Sequence, residues 1–178
     1  KETNMKEWMD LYDCQGRVKG LVHTTTQAPQ DGNFYLATRI WVRDAAGAFL
    51  FLHCTDTDSW TPGQWTVPGD FVAAGVQGPD AARQALQTQT GLTLADTQWQ
   101  SLGSQRYRDS HNGVPYHAIA QLYLVQLTET APANVMLGET IQAWQWVPAE
   151  DVSVFLTDHP VEPFTRLSHR QYSHRLLP

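Results

Sequence analysis

The chain opens with a loose alternation of apolar and polar residues from Trp8 to Tyr12, followed by turn chemistry at Asp13-Cys14-Gln15-Gly16 and a second run from Arg17 to His23. This pattern predicts a β-hairpin at an edge of the molecule. Thr24 to Asn33 carries Pro29 and Gly32 among polar groups and reads as a loop. Phe34 to Val42 and Phe49 to His53 are aromatic and β-branched runs around Asp44-Ala45-Ala46-Gly47, hence strand, tight turn, strand. The stretch from Trp60 to Asp70 is punctuated by Pro62, Gly63, Pro68 and Gly69, which excludes a helix. Pro79 to Thr90 is rich in Ala, Gln and Leu, with Pro in the first turn and Gly91 at the stop, and predicts a helix. Trp99 to Arg108 and Tyr116 to Leu127 predict paired strands around the turn cluster Asp109-Ser110-His111-Asn112-Gly113. Ile141 to Val147 reads as a further strand, and Pro148-Ala149-Glu150-Asp151 as the start of a short helix. Glu162 to Leu176 predicts a C-terminal helix that packs Leu167, with Tyr172 or Gln171, and Leu176 on the sheet. Mixed strands with a helix inserted after a Gly/Pro loop give an α/β sandwich.

Composition narrows the partners. With 178 residues, of which 42% are hydrophobic, one domain is expected over residues 1–178, its core at about 8–152 and its terminal helix at about 162–176. No run approaches the ~18 uninterrupted apolar residues of a membrane span. The net charge of −6, without a basic cluster, disfavours a nucleic-acid polymer as partner. Cys14 and Cys54 make neither a disulfide framework nor a paired metal motif. The first residues lack the features of a secretory signal. Reduced thiols and a cytoplasmic location are therefore expected, and a homodimer is compatible with the sequence. Charged residues are only 17%, below the usual ~25%. Glu is scarce, at six residues against sixteen Gln.

The turn at Gly47, the loop from Trp60 to Asp70, the helix from Pro79 to Leu92 and the later Trp144-Gln145-Trp146-Val147-Pro148-Ala149-Glu150-Asp151-Val152 together resemble a Nudix domain. The opening Glu7-Trp8-Met9-Asp10-Leu11-Tyr12-Asp13 with Gly16, and the Trp60 to Trp65 stretch, are similar to the isopentenyl-diphosphate isomerase-like branch of that family. The resemblance implies a Nudix-type α/β/α sandwich with a mixed β-sheet, a diphosphate-type small-molecule ligand and hydrolysis assisted by Mg²⁺. The family signature runs Gly, five residues, Glu, seven residues, Arg-Glu-aliphatic, one residue, Glu-Glu, one residue, Gly and an aliphatic residue. Its carboxylates seat the metal against the diphosphate.

Anchored on Gly91-Leu92, the signature places Leu86 at the aliphatic position, Gln84 and Ala85 at Arg-Glu, and Thr88 and Gln89 at Glu-Glu. Val76 falls at the first Glu and Asp70 at the first Gly. A shift by one residue aligns Gly69 and Arg83, but the Glu positions become Gly75, Gln84, Gln87 and Thr88. No Glu occurs anywhere from Trp8 through Thr128, so no register restores the motif. Metal assistance contributes several kcal/mol, at ~1.4 kcal/mol per tenfold in rate. A catalytically degenerate domain is expected, with no catalytic residue and no metal ligand assigned, and no cofactor unless Mg²⁺ is held by relocated carboxylates.

The remaining candidates divide between chemistry and plain structure. Arg39, on a strand that lines the pocket in similar proteins, would fork onto a phosphate or pair across strands. Trp65, Trp60 and Tyr107 would stack on a ligand or simply pack. Asp70 would ligate one cation or serve its turn. His117 and His111 flank a strand start as an acid/base pair or as ordinary surface histidines. Asp56 and Asp58 with His53 would form a small metal cluster or solvated turn residues. Glu139 resembles a family position near the active site, or is a solvated strand-end carboxylate. Arg39, Trp65, Asp70, Tyr107 and His117 are retained as the ligand-binding set. Cys54 does not match the position of the isomerases' cysteine, near which Pro68 stands, so isomerase activity has no support. Besides the degenerate domain, two readings stay open. One is an active hydrolase using Asp70, Asp56, Asp58 or Glu139; the other is a ligand- or protein-binding module built on the Trp-rich segments and the Arg/His-rich terminal helix.

Overall fold

The computed structural model describes residues 8–23, 32–56, 61–111 and 113–176. The hairpin β1 (Trp8–Tyr12) and β2 (Val18–His23) pairs antiparallel, as its alternation predicts. It forms a two-stranded sheet of its own rather than an edge of the main sheet. Tyr12 couples it to the rest of the chain by exchanging two backbone hydrogen bonds with Phe34, each 2.9 Å. Met9 and Val22, on the hairpin's inner face, join the core.

The main sheet holds β3 (Tyr35–Arg43), β4 (Phe49–Cys54), β5 (Trp65–Thr66), β6 (Trp99–His111), β7 (Val114–Gln126) and β8 (Ile141–Val147). Its order is β5-β4-β3-β7-β6, with β8 on β4; the β3–β7 pair is parallel and the others antiparallel. The sheet is therefore mixed. β3 and β4 meet only at Arg43 and Phe49, and the segment after β5 fills the gap between them. There Ile40 N–H donates to the Pro68 carbonyl at 2.8 Å, Thr38 N–H to Asp70 at 2.8 Å, and Val72 N–H to Leu36 at 2.9 Å. The loop reading of Trp60 to Asp70 needs one correction, because two of its residues form β5. Two residues are too few for a periodicity to show.

Alternate strand residues face two helical layers. Ile40, Val42, Leu50 and Leu52 pack with Ala82 and Leu86 of α1 (Gly78–Thr90). Trp41, Phe49 and Phe51 pack with residues of α2 (Val152–Asp158) and α3 (Pro163–Leu176), among them Phe155 and Phe164. An α/β/α sandwich with a mixed sheet results, the predicted fold class. α1 ends at Gly91, whose φ of 73° is available to glycine at no steric cost and whose N–H closes on the Gln87 carbonyl at 2.8 Å. On α3 the buried face is Phe164, Thr165, Ser168 and Leu176, with Tyr172 packed alongside. Leu167, predicted on that stripe, is instead 38% exposed. The i, i+4 spacing from Phe164 selects the face and leaves residue 167 off it.

Candidate functional site

The helix that carries the box positions begins at a cleft of about 360 Å³. The hairpin supplies Asp10, Tyr12, Gly16 and Val18 to it. The loop before α1 supplies Gly75, Val76, Gln77 and Gly78. The sheet supplies Leu36, Ser104, Ile119 and Gln121, which share a face because β3 and β7 pair Leu36 with Ile119, and β6 and β7 pair Ser104 with Gln121. Below lies an apolar cluster of Leu36, Val72, Ala81 and Ile119, packed by Tyr12, Phe34 and Val76. Two contacts hold the cleft in shape. Asp10 Oδ2 accepts the Gly75 N–H at 2.9 Å, and Tyr123 donates its hydroxyl to Gln121 Oε1 at 3.0 Å. Burial, and then the charge of Asp10, raise the Tyr12 phenol above its ordinary value.

The box positions are neutral. Gln84 and Thr88 are exposed, and Ala85 is buried. Gln89 is fastened to the loop: its Oε1 accepts the Gly69 N–H at 2.9 Å and its Nε2 donates to the Gly69 carbonyl at 2.8 Å. Only an amide makes both bonds, since an ionised carboxylate has no proton for the carbonyl. Gly69 is itself obligatory, because its φ is +152° and an added Cβ would stand 2.1 Å from the Thr38 carbonyl oxygen. Among the described residues no three His, Cys, Asp or Glu side chains converge to hold a metal. A hard divalent cation takes about six oxygen ligands, mostly carboxylates and carbonyls. Neutral side chains at the box, one of them committed to Gly69, do not fit Mg²⁺.

The predicted ligand set is divided by the sheet. Arg39 and Tyr107 lie on the α3 side, opposite the cleft. Arg39 is 6% exposed and its Nη2 stands 2.6 Å from Glu162 Oε1, with Nε 3.2 Å from Oε2. Its Nη1 donates to the Thr38 carbonyl at 2.8 Å. Glu162 is wholly buried and accepts further bonds from Thr66 at 2.9 Å and Thr165 at 2.8 Å. Burial alone would raise its carboxyl, but Arg39 and the two hydroxyls hold it below the ordinary carboxylate value. Arg39 thus anchors α3 rather than lining the cleft, and its partner comes from the segment leading into α3, not from a neighbouring strand.

Tyr107 stacks on Phe164 with ring centroids 4.1 Å apart, and burial raises its phenol strongly. Trp65 stacks on His53 at 4.8 Å and meets Phe155 edge-on at 5.4 Å, so it too packs on the α2 side. Asp70 is part of the loop along β3, with its Oδ1 accepting the Phe71 N–H at 2.7 Å. His117 alone shares the cleft's face of β7, two residues before Ile119, with its ring 5.6 Å from Phe34. His53 is engaged at both nitrogens, with Gly63 O at 3.1 Å and the Gln142 amide at 2.9 Å. Glu139 and Asp56 are exposed. The side chain of His111, and Asp58 and Trp60 altogether, lie outside the described residues. Cys14 and Cys54 are free thiols, the second buried and accepting a hydrogen bond from Thr61 at 3.2 Å.

Sequence reasoning missed Asp10, Tyr12, Gln121 and Glu162. The first two share a strand face, an i, i+2 pair opposite core-facing Met9 and Leu11. Gln121 is a polar residue inside the apolar run of β7, a signal that was available. Nothing local marks Glu162 as buried.

The architecture, an α1 helix introduced by a glycine-flanked loop beside a mixed sheet, has counterparts. A family model described as the NUDIX domain matches residues 34–168. The chain belongs to the Nudix family. DR0079 from Deinococcus radiodurans superposes on this Nudix chain with a TM-score of 0.71 at 16% identity, covering 93% of this chain and 99% of that one. The MutT protein from Methanosarcina mazei gives a TM-score of 0.64 at 17% identity, over 80% and 94% of the two chains. An Ap4A hydrolase from C. elegans gives 0.57 at 20% identity, over 80% and 97%. At these identities the likeness concerns the fold. No curated protein matches the chain. No helix among the described residues is long and apolar enough to cross a membrane.

Proposed function

We propose that this Nudix domain binds a small molecule in the cleft beneath its N-terminal hairpin and has lost, or nearly lost, metal-dependent diphosphate hydrolysis. The observation that carries the reading is the Gln89 clip on Gly69: a box position is occupied by an amide whose donor and acceptor are both used internally. The absence of Glu from Trp8 through Thr128 supports the same conclusion independently of any alignment. Of the sequence-derived ligand set, the reading keeps His117 at the cleft's rim and adds Asp10, Tyr12 and Gln121. Kinship with the isopentenyl-diphosphate isomerase-like branch is retained as a proposal about ancestry, on the opening segment and the Trp-rich loop. It carries no isomerase chemistry, since Pro68 stands near the cysteine position of that branch.

³¹P NMR with Mg²⁺ or Mn²⁺ and a panel of nucleoside-diphosphate-linked and isoprenyl diphosphates tests the reading at high protein concentration over hours. No metal-dependent new phosphorus signal is expected. Metal-dependent cleavage abolished by Asp10→Asn or Asp70→Asn would establish a rewired hydrolase instead.

A further inference from the structure

The charges around the cleft speak to its ligand. Among the lining residues Asp10 is the one ionisable acid or base apart from the Tyr12 phenol, and neither Lys nor Arg is present. The basic side chains stand outside the lining, at its border: Arg106, paired with Ile119 across β6 and β7, donates to the Cys14 carbonyl and lies 5.9 Å from the Phe34 ring centroid, His117 shares the cleft's face of β7, and Arg17 pairs with Asp13 at 2.8 Å. The loop before α1 does offer a backbone N–H, at Gly75, but a carboxylate of the chain itself already takes it. The start of α1 is likewise a poor anion site, because Pro79 has no N–H and Asp80 places a negative charge in the first turn.

What remains is matched to an uncharged molecule. A carboxylate accepts about four hydrogen bonds, of which Gly75 uses one of Asp10's. Gln121 has its oxygen engaged by Tyr123, and its amide hydrogens are the donors left to the cleft. The raised Tyr12 phenol keeps its proton, and Ser104 and Gln77 donate or accept. Leu36, Ile119 and Val76 supply apolar wall. The volume of about 360 Å³ lies at the small end of the ~300–1,000 Å³ range for ligand sites.

We propose that the cleft selects an uncharged small molecule bearing hydroxyl or non-basic N–H donors toward Asp10, and discriminates against the phosphorylated form of the same molecule. The proposal rests on the ligand-binding reading above and reverses the charge preference of a diphosphate site.

Matched pairs differing only in a phosphate provide the test. Amide chemical shifts of the ¹⁵N-labelled chain are followed at low ionic strength with adenosine, cytidine and glucose, and with their 5′- or 6-phosphates. At least one neutral member is expected to shift Leu36, Ile119 and Gln121. Its phosphate should bind about tenfold more weakly or worse, the consequence of one like charge at short range. Asp10→Asn keeps an acceptor for Gly75 but removes the charge, so the neutral-to-phosphate ratio should shrink to within about threefold. Phosphates binding as well as or better than the neutral partners, with a ratio indifferent to Asp10→Asn, would overturn the charge preference and leave ligand binding intact. Failure of both series to shift the cleft would overturn the preference together with the binding reading. Hydrolysis of a diphosphate, scored separately by ³¹P NMR, would overturn only the claim of lost chemistry.

Discussion

β3 is fastened on both sides, and the two fastenings differ in kind. On the α3 side Arg39 meets Glu162 in a buried ion pair, supported by hydrogen bonds to Thr38, Thr66 and Thr165. On the α1 side Gln89 grips Gly69 through two neutral hydrogen bonds, and the box positions around it carry no charge. A buried ion pair thus holds α3 to the sheet, whereas the α1 positions Gln84, Ala85, Thr88 and Gln89 are neutral. A buried pair tolerates no missing partner, whereas a neutral clip loses only a few hydrogen bonds. Each side therefore responds differently to substitution and to pH.

The largest effect is expected from Glu162→Ala, which leaves the Arg39 guanidinium buried without its counter-charge. A loss of about 3–5 kcal/mol, read from urea unfolding, would be a large share of the ~5–15 kcal/mol typical of a domain. Gly69→Ala comes next at roughly 3 kcal/mol, since its Cβ would collide with the Thr38 backbone rather than with a side chain that can turn away. Gln89→Glu should cost about 2 kcal/mol at neutral pH, because the carboxylate faces the Gly69 carbonyl, and less in acid, where it regains a proton. If that variant instead gained stability on adding Mg²⁺, the box face would be a better metal seat than its neutrality implies.

The pH dependence sharpens the contrast. The Glu162 carboxyl is held below its ordinary value, so its contribution is full above the unfolded carboxylate pKa near ~4.3 and is lost as pH falls through the lower folded value. Comparing acid unfolding of the wild type with Glu162→Gln should show a shallower dependence in the variant. The smallest effect is expected from Gly78→Ala. Its Cβ would stand 1.6 Å from Gln121 Oε1, the tip of a flexible side chain, so thermal stability should stay within about 0.5 kcal/mol while Gln121 is displaced from the cleft.

The sandwich was legible because its signals are local. Pro79 and Gly91 bracket α1, the strands β3, β4 and β8 follow runs whose composition is plain, and the β6–β7 pair follows two such runs around a turn cluster. The separateness of the hairpin sheet and β5 were not: the hairpin's own pairing is local, but no local pattern records that it stands apart from the main sheet, and β5 is only two residues long. At the site, the absence of Glu from Trp8 through Thr128 is read from the sequence itself. The cleft did need the structure, because the hairpin, the box loop and β7 meet there from positions about a hundred residues apart. Arg39 shows the limit most clearly. Both faces of β3 are buried, so apolar alternation could not say which helical layer residue 39 joins, and it shares the parity of Trp41 rather than that of Leu36.

The neutrality of the box face is tested most directly by Mn²⁺, whose unpaired electrons broaden amide resonances close to a bound ion. With substoichiometric Mn²⁺ and the ¹⁵N-labelled protein, no selective broadening is predicted for Val76 or for Gln84 through Gln89. Selective broadening of those amides, reversed by excess Mg²⁺, would contradict the account.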